Sequence, residues 1–416
     1  MRGEPEPCAL RPSWGRFFHG RKDVGVMGDA SQQTGEFEAV YRVQGRRPLD
    51  GDAASSTKSK PAGALSPKDV PTPPGGRVLE VRDGGDGLYV RVAIPLPVPA
   101  APAAIANLLL GSWTAGSCVR ILHVELPTGP ARHLPGPRYG VPELRRRLAA
   151  RFRPLLLATI AEPSGGDLDT WAATLRAEWM AGVDILVEAG DQGPADWSRT
   201  QRRIDRARRE AEALARDAAR RPLYAVRLAA SGPDFAERVR RLVDAGAEAL
   251  TVGWTVGDLD ALAAVAARPG GPVLLAGARI AAQSSGVLAP SVLFGELARA
   301  AGADVSGYAG TGPDGQAAPL SATEQASVGA ALAAPTSRRA AWAAPSLGIH
   351  PGALPTLVRE LGPDIVVDAT AAIQDHPGGP RAGAAAFIQA FDRLSGHIGP
   401  LPDELAQALA RWGGAA

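Results

Sequence analysis

The sequence predicts a (β/α)8 TIM barrel, an α/β fold, preceded by a small α+β, ferredoxin-like N-terminal domain. From Gly136 onward, short apolar runs alternate with longer amphipathic segments, the rhythm of strand–helix units. Eight such units fall in about 260 residues, the usual size of such a barrel. Before Gly136, period-two alternation and a hairpin signal mark a smaller unit of different texture.

Residues 1–34 are polar and rich in Pro and Gly, and read as a disordered tail. Met27 offers a second start, because "MGDASQQTGEFEAVYRV" runs directly into a strand over 37–43. Residues 50–76, rich in Ser, Lys, Pro and Gly, read as loop. "RVLEVRD" and "GLYVRVAIPL" flank "GGDG" and predict a hairpin. "PAAIANLLLGSW" predicts a short helix and "CVRILHVELP" a further strand, which completes a domain over 35–135. The barrel is expected over 136–395, with strands at 155–162, 183–188, 223–229, 249–254, 273–279, 303–308, 343–348 and 365–370. Between the first two, Leu168, Trp171, Ala172, Leu175 and Trp179 form one buried helical stripe. Residues 396–416 carry a last amphipathic helix, "LPDELAQALARW".

Composition bounds the function. The chain has 416 residues, 45% hydrophobic, and a net charge of +2, enough for a large core and without the concentrated basic surface that nucleic acid needs. The arginine-rich stretch 196–221 is offset by acids and reads as a solvated helix with i,i+4 pairs. Two cysteines, Cys8 and Cys118, exclude a disulfide framework; a reducing cytoplasm is expected, with Cys118 in a strand core and Cys8 in the tail. No apolar run is long enough to span a membrane, and the N-terminus has no signal-peptide core. Lysine occurs only at Lys22, Lys58, Lys60 and Lys68. A preference for arginine codons accounts for that, yet the chemical consequence stands: arginine is not carbamylated and forms no Schiff base.

Six segments, in order, resemble the RuBisCO large-subunit superfamily. "ANLLLGSW" with "VRILHVELP" resembles the end of its N-terminal domain, and "GPRYGVPELRRRLAARFRPLLLATIAEPSGG" its lead-in to the barrel. "AGVDILVEAGDQG" resembles the second strand, and "LARAAGADVSGYAG" the approach to the mobile sixth loop. "SLGIHPGALPTLVRELGPDIVVDA" resembles strands seven and eight, and "DHPGGPRAGAAA" the loop and helix beyond. The departures separate the chain from the carboxylases. The resemblance sets the carbamylated lysine of strand two on Val187, followed by Glu188, Ala189 and Gly190. It sets the catalytic lysine after strand one on Glu162, and the glycine triplet after strand eight on Thr370, Ala371 and Ala372. The sixth-loop lysine has no counterpart in "GYAGTGPDGQ". The chain therefore resembles a diverged form IV RuBisCO-like protein. The resemblance implies a homodimer in which one N-terminal domain covers the partner's barrel mouth.

Barrel sites lie at the carboxyl ends of the strands, which puts Glu162, Glu188, Arg279, Ser346 and Thr370 near one mouth. Glu162, Glu188 and His350 are candidate bases. Glu188 and Asp191, with Glu162, are candidate magnesium ligands, the alternative being acids that are solvated or paired to Arg227. The resemblance implies phosphate contacts at Arg279, Ser346 and Gly348; a pairing of Arg279 with a local acid and a turn cap at Ser346 are the plain alternatives. Gly378 and Gly379 lead into a helix whose first amides suit a phosphate, or form only a tight turn. His376 reads as a buried, satisfied histidine. Two functions stay open: enolisation or isomerisation of a small phosphorylated or carboxylated compound without a carbamate, and a catalytically inactive binding or regulatory pseudoenzyme.

Overall fold

The computed structural model describes residues 35–44, 70–97, 101–111, 118–126, 134–150, 153–161, 167–189, 196–218, 220–229, 234–278, 287–311, 317–318, 320–397 and 399–414. The expected tail over 1–34 and most of the loop over 50–76 lie outside these residues.

An antiparallel sheet comes first. Its strands are β1 (Glu36–Gln44), β2 (Arg77–Asp83), β3 (Leu88–Pro95) and β4 (Cys118–Glu125). They run in the order β2-β3-β1-β4, which is the ferredoxin-like order. Phe37, Ala39, Tyr41 and Val43 share one face of β1 and are all buried, as their period of two requires. Helix α1 (Pro102–Gly111) buries Ile105, Ala106 and Leu109.

The barrel then opens with α2 (Gly140–Leu148) and β5 (Leu155–Ile160). It continues through α3 (Leu168–Met180), β6 (Ile185–Glu188), α4 (Trp197–Ala218), β7 (Leu223–Ala229), α5 (Phe235–Asp244), β8 (Ala249–Trp254), α6 (Leu259–Ala266) and β9 (Val273–Ala278). A π-helix, Ser291–Leu297, leads to β10 (Val305–Tyr308), the short ribbon β11 (Gly310–Thr311) and β12 (Ala317–Ala318), and α7 (Ala322–Ala333). Then come β13 (Trp342–Pro345), α8 (Leu354–Leu361), β14 (Val366–Asp368), α9 (Thr370–Gln374), α10 (Pro380–Leu394) and α11 (Asp403–Trp412). The parallel sheet is ordered β13-β10-β9-β8-β7-β6-β5-β14, and a bridge between Ala343 and Ile365 closes it. Every expected barrel strand is present. β14 ends at Asp368 rather than at 370 because Thr370 already begins α9.

Strand parity sorts the core into two layers. Leu155, Leu157, Ile185, Val187, Leu223, Ala225, Ala249, Leu275, Trp342, Ala344 and Val366 fill the barrel, and Leu144 and Leu148 of α2 plug its amino end. The alternate residues, among them Leu156, Leu186, Val226, Leu250 and Leu274, face the helices. Strands buried on both sides read as continuous apolar runs, which is why they were visible in the sequence.

The plugged end is pinned by acids that lead into the strands. Asp184, before β6, is fully buried; Arg153 donates to it at 2.7 Å and Arg220 at 2.9 Å. Burial opposes its ionisation, but the two guanidiniums prevail and hold its carboxyl below the usual carboxylate range. Glu248 pairs with Arg147 and Arg221 before β8, and Asp364 with Arg145 before β14. Asp304, before β10, accepts amides from Tyr139, Gly140 and Leu274, tying the plug helix to β9. Each acid follows a glycine by two residues, at Gly182, Gly246, Gly302 and Gly362, all with positive φ. At Gly302 (φ +97) an added Cβ would lie 2.1 Å from the Ala266 methyl, so no other residue fits.

The sheet meets the barrel through β4. The Ile121 amide donates to Val287 and the Ala289 amide to Ile121, at 2.6 and 2.8 Å. Glu296 of the π-helix accepts the Val124 amide at 2.7 Å and pairs with His123. Ser306 of β10 donates to the Phe294 carbonyl at 2.6 Å, bonding a carbonyl of the wider helical turn.

Candidate active site

Among the described residues, the inward face of the barrel carries polar side chains at the carboxyl ends of four strands. Thr159 follows Leu157 on β5, Arg227 follows Ala225 on β7, Thr251 follows Ala249 on β8, and Asp368 follows Val366 on β14. On one side, Thr370 donates its hydroxyl to Asp368 at 2.7 Å and lies 3.2 Å from the Thr159 hydroxyl. The second carboxylate oxygen of Asp368 has no partner among the described residues. On the other side, Arg227 and Thr251 are register neighbours on β7 and β8. The Thr251 hydroxyl is buried without a hydrogen-bond partner among the described residues.

The structure does not bring Glu188 to this mouth. Val187 shares the inward face with Ile185, so Glu188, one residue on, faces the helices. Its carboxylate forms a buried ion pair with Arg203 of α4, whose side chain is 5% exposed against 9% for Glu188. The alternative pairing with Arg227 is not formed either: the Arg227 Nε donates to the Glu188 backbone carbonyl at 3.0 Å. Tyr224 adjoins the pair, and burial, then the Glu188 carboxylate, push its hydroxyl far above the usual range. Glu162, Asp191 and Arg279 lie outside the described residues.

Val187, in register with Thr159 and Ala225, offers only a buried isopropyl group where the carbamate would stand. Glu188 is turned outward into its ion pair. No group of three or more His, Cys, Asp or Glu residues gathers among the described residues. The described donors alone do not fit magnesium, an ion that demands several hard oxygens; Glu162 and Asp191 lie outside the described residues.

The phosphate candidates separate. After β13, Leu347 (φ +75) and Gly348 (φ +67) are both left-handed, and Leu347 is exposed, so a strained turn stands at the mouth beside Ser346. Gly378 and Gly379 offer no such cradle. The Gly378 amide donates to the His376 Nδ1 at 3.0 Å, and the Gly379 amide to the His376 carbonyl at 2.9 Å. The His376 Nε2 in turn donates to the Glu404 carbonyl at 2.9 Å, so His376 is the buried, satisfied histidine that was expected. His350 stacks on Trp412 of α11 with ring centroids 6.2 Å apart, and burial lowers its pKa.

Arg227, Thr251, Thr159 and Asp368 were not among the candidates drawn from the sequence for the mouth. A single charge in the apolar run "LYAVRLA", on the parity of Leu223 and Ala225, is the signal that could have found Arg227.

No family profile matches the chain. It is similar to a 2,3-diketo-5-methylthiopentyl-1-phosphate enolase of Geobacillus thermodenitrificans, 30% identical over 330 residues, covering 75% of this chain and 77% of the relative. An enolase of the same name from Exiguobacterium sibiricum is 31% identical over 329 residues, covering 75% and 80%. Among solved structures, a RuBisCO-like protein from Alicyclobacillus acidocaldarius superposes with a TM-score of 0.69 and 25% identity, over 91% of this chain and all (100%) of that one. A RuBisCO-like protein from Rhodopseudomonas palustris gives a TM-score of 0.64 at 20% identity, over 87% of this chain and 99% of that one, a likeness of fold. Among the described residues, no helix is long and apolar enough to cross a membrane.

Proposed function

The chain belongs to the RuBisCO-like proteins of form IV, and on that premise we propose that it catalyses enolase-type chemistry on a small phosphorylated carbonyl compound. The observation that carries this reading is the polar inward layer at the carboxyl end of a barrel that is otherwise apolar inside. Within that layer Thr251 offers a buried hydroxyl with no partner among the described residues, and Asp368 offers an inward carboxylate held by Thr370. The enolase names of its relatives supply the substrate class.

Enolisation needs a base beside the carbon that loses its proton and a donor for the oxygen that gains charge. The base is a carboxylate on the β14–β5 side: Asp368, held by Thr370, with Glu162 following β5 as the second acid. Glu188 acts by holding the end of β6, not by touching substrate. The phosphate is received by the turn at Ser346 and Gly348 together with Arg279, which follows β9. The reading rejects a carboxylase, since the barrel has no amine on which to build a carbamate.

The test is solvent deuterium exchange into 2,3-diketo-5-methylthiopentyl-1-phosphate by the purified chain, followed by NMR. Exchange beside the carbonyl that falls at least tenfold in Asp368→Asn or Glu162→Gln is the expected result. No exchange above the buffer rate, with or without magnesium, refutes it. The homodimer implied by the family resemblance is proposed too; light scattering should give twice the 42.9 kDa chain mass, and a single-chain mass at micromolar concentration refutes it.

A further inference from the structure

The arginines of this barrel differ in how they use their five N–H donors. At the plugged end the donors are spent on carbonyls and acids. Arg220 serves Trp179, Gly182, Val183 and Asp184, and Arg145 serves Ala150, Arg153, Pro363 and Asp364. Arg299 likewise serves Ala331, Arg338 and Arg339. Arg227 stands at the opposite end and spends one donor: its Nε meets the Glu188 carbonyl at 3.0 Å, and its two Nη groups meet no acceptor among the described residues. That single bond fixes the guanidinium at the end of β6, while the parity of β7 turns it into the mouth. Beside it in register, the buried Thr251 hydroxyl also lacks a partner among the described residues. A cation with idle donors and an idle hydroxyl thus share one wall, across from the carboxylate of Asp368.

We propose that Arg227 and Thr251 hold the enolate oxygen during the reaction, so that enolisation proceeds without a metal ion or a carbamate. The inference rests on the enolase-type reading above. In the step, the C–H bond beside the carbonyl breaks and its proton passes to the carboxylate base. The C–H electron pair becomes the new C=C bond, and the carbonyl π pair moves onto oxygen. Arg227 and Thr251 donate N–H and O–H bonds to that oxygen as its charge develops. The proton then returns from the base to the oxygen, giving the enol with no oxidant or co-reactant. A guanidinium suits the task because it stays charged at any working pH.

The experiment measures the same exchange in EDTA with wild type, Arg227→Met, Arg227→Ala and Thr251→Val, each first checked for a native melting transition. Wild type should exchange equally with EDTA and with added magnesium. Arg227→Met should lose about 100- to 1,000-fold, the effect of removing one oxyanion donor. Thr251→Val should lose about tenfold, the worth of one neutral hydrogen bond. Added guanidinium ion should restore part of the rate to Arg227→Ala, which a purely structural role would not produce. If Arg227→Met fails to fold, the guanidinium rescue decides: no rescue in Arg227→Ala overturns the proposal. Wild-type exchange with Arg227→Met within about threefold of it overturns this inference alone. So does exchange that EDTA abolishes and magnesium restores. A wild type that never exchanges overturns the enolase reading and this inference with it.

Discussion

Replacing Arg203 with methionine tests the outward placement of Glu188. The Glu188 carboxylate, 9% exposed, would stay buried and lose the guanidinium that compensates its desolvation. Removing one partner of a buried pair costs roughly 3–5 kcal/mol. For a barrel of this size each kcal/mol moves the melting midpoint by about 2–4 °C, so the midpoint should fall by roughly 6–20 °C. The double substitution Glu188→Leu with Arg203→Met removes both charges and keeps an apolar volume against Tyr224. It should melt within a few degrees of wild type, since apolar replacement of a whole buried pair is often neutral or stabilising. Differential scanning calorimetry on the four proteins of the cycle gives the coupling directly. An Arg203→Met midpoint within about 2 °C of wild type refutes the pairing. So does a double variant that is worse than the two single losses added.

Glu178 carries a pH signature. Its carboxylate is buried with one oxygen unpartnered among the described residues, and burial raises its pKa to about 7. A folded pKa above the unfolded one stabilises below the unfolded value, near 4.5, and that stability is lost as pH rises through about 7. Glu178→Gln should therefore match wild type near pH 4 and exceed it at pH 8, by at most about 3 kcal/mol; urea melts at the two pH values measure this, and an equal difference at both refutes it. Gly302→Ala combines the φ of +97 with the 2.1 Å approach to the Ala266 methyl, and should cost more than about 2 kcal/mol. A wild-type urea midpoint would sink that prediction.

The barrel was legible because its strands are buried on both faces, so each stands out as an apolar run such as "LLLATI". The site was less legible, because it depends on parity rather than on composition. Val187 and Glu188 differ by one position, and that step decides between the barrel interior and the helix layer. Gly378 and Gly379 announce a turn, but nothing in their spacing says that His376 takes both amides. Glu178 could have been found, three residues beyond Leu175 on the buried stripe of α3. The π-helix has no such signal; it follows from tertiary contacts with Ser306 and β4.

Asp184, Glu248, Asp304 and Asp364 fasten the barrel where no chemistry happens. These four anchors stand apart from the residues that face the mouth. An engineer who redraws the inward residues at the mouth therefore leaves all four anchors untouched.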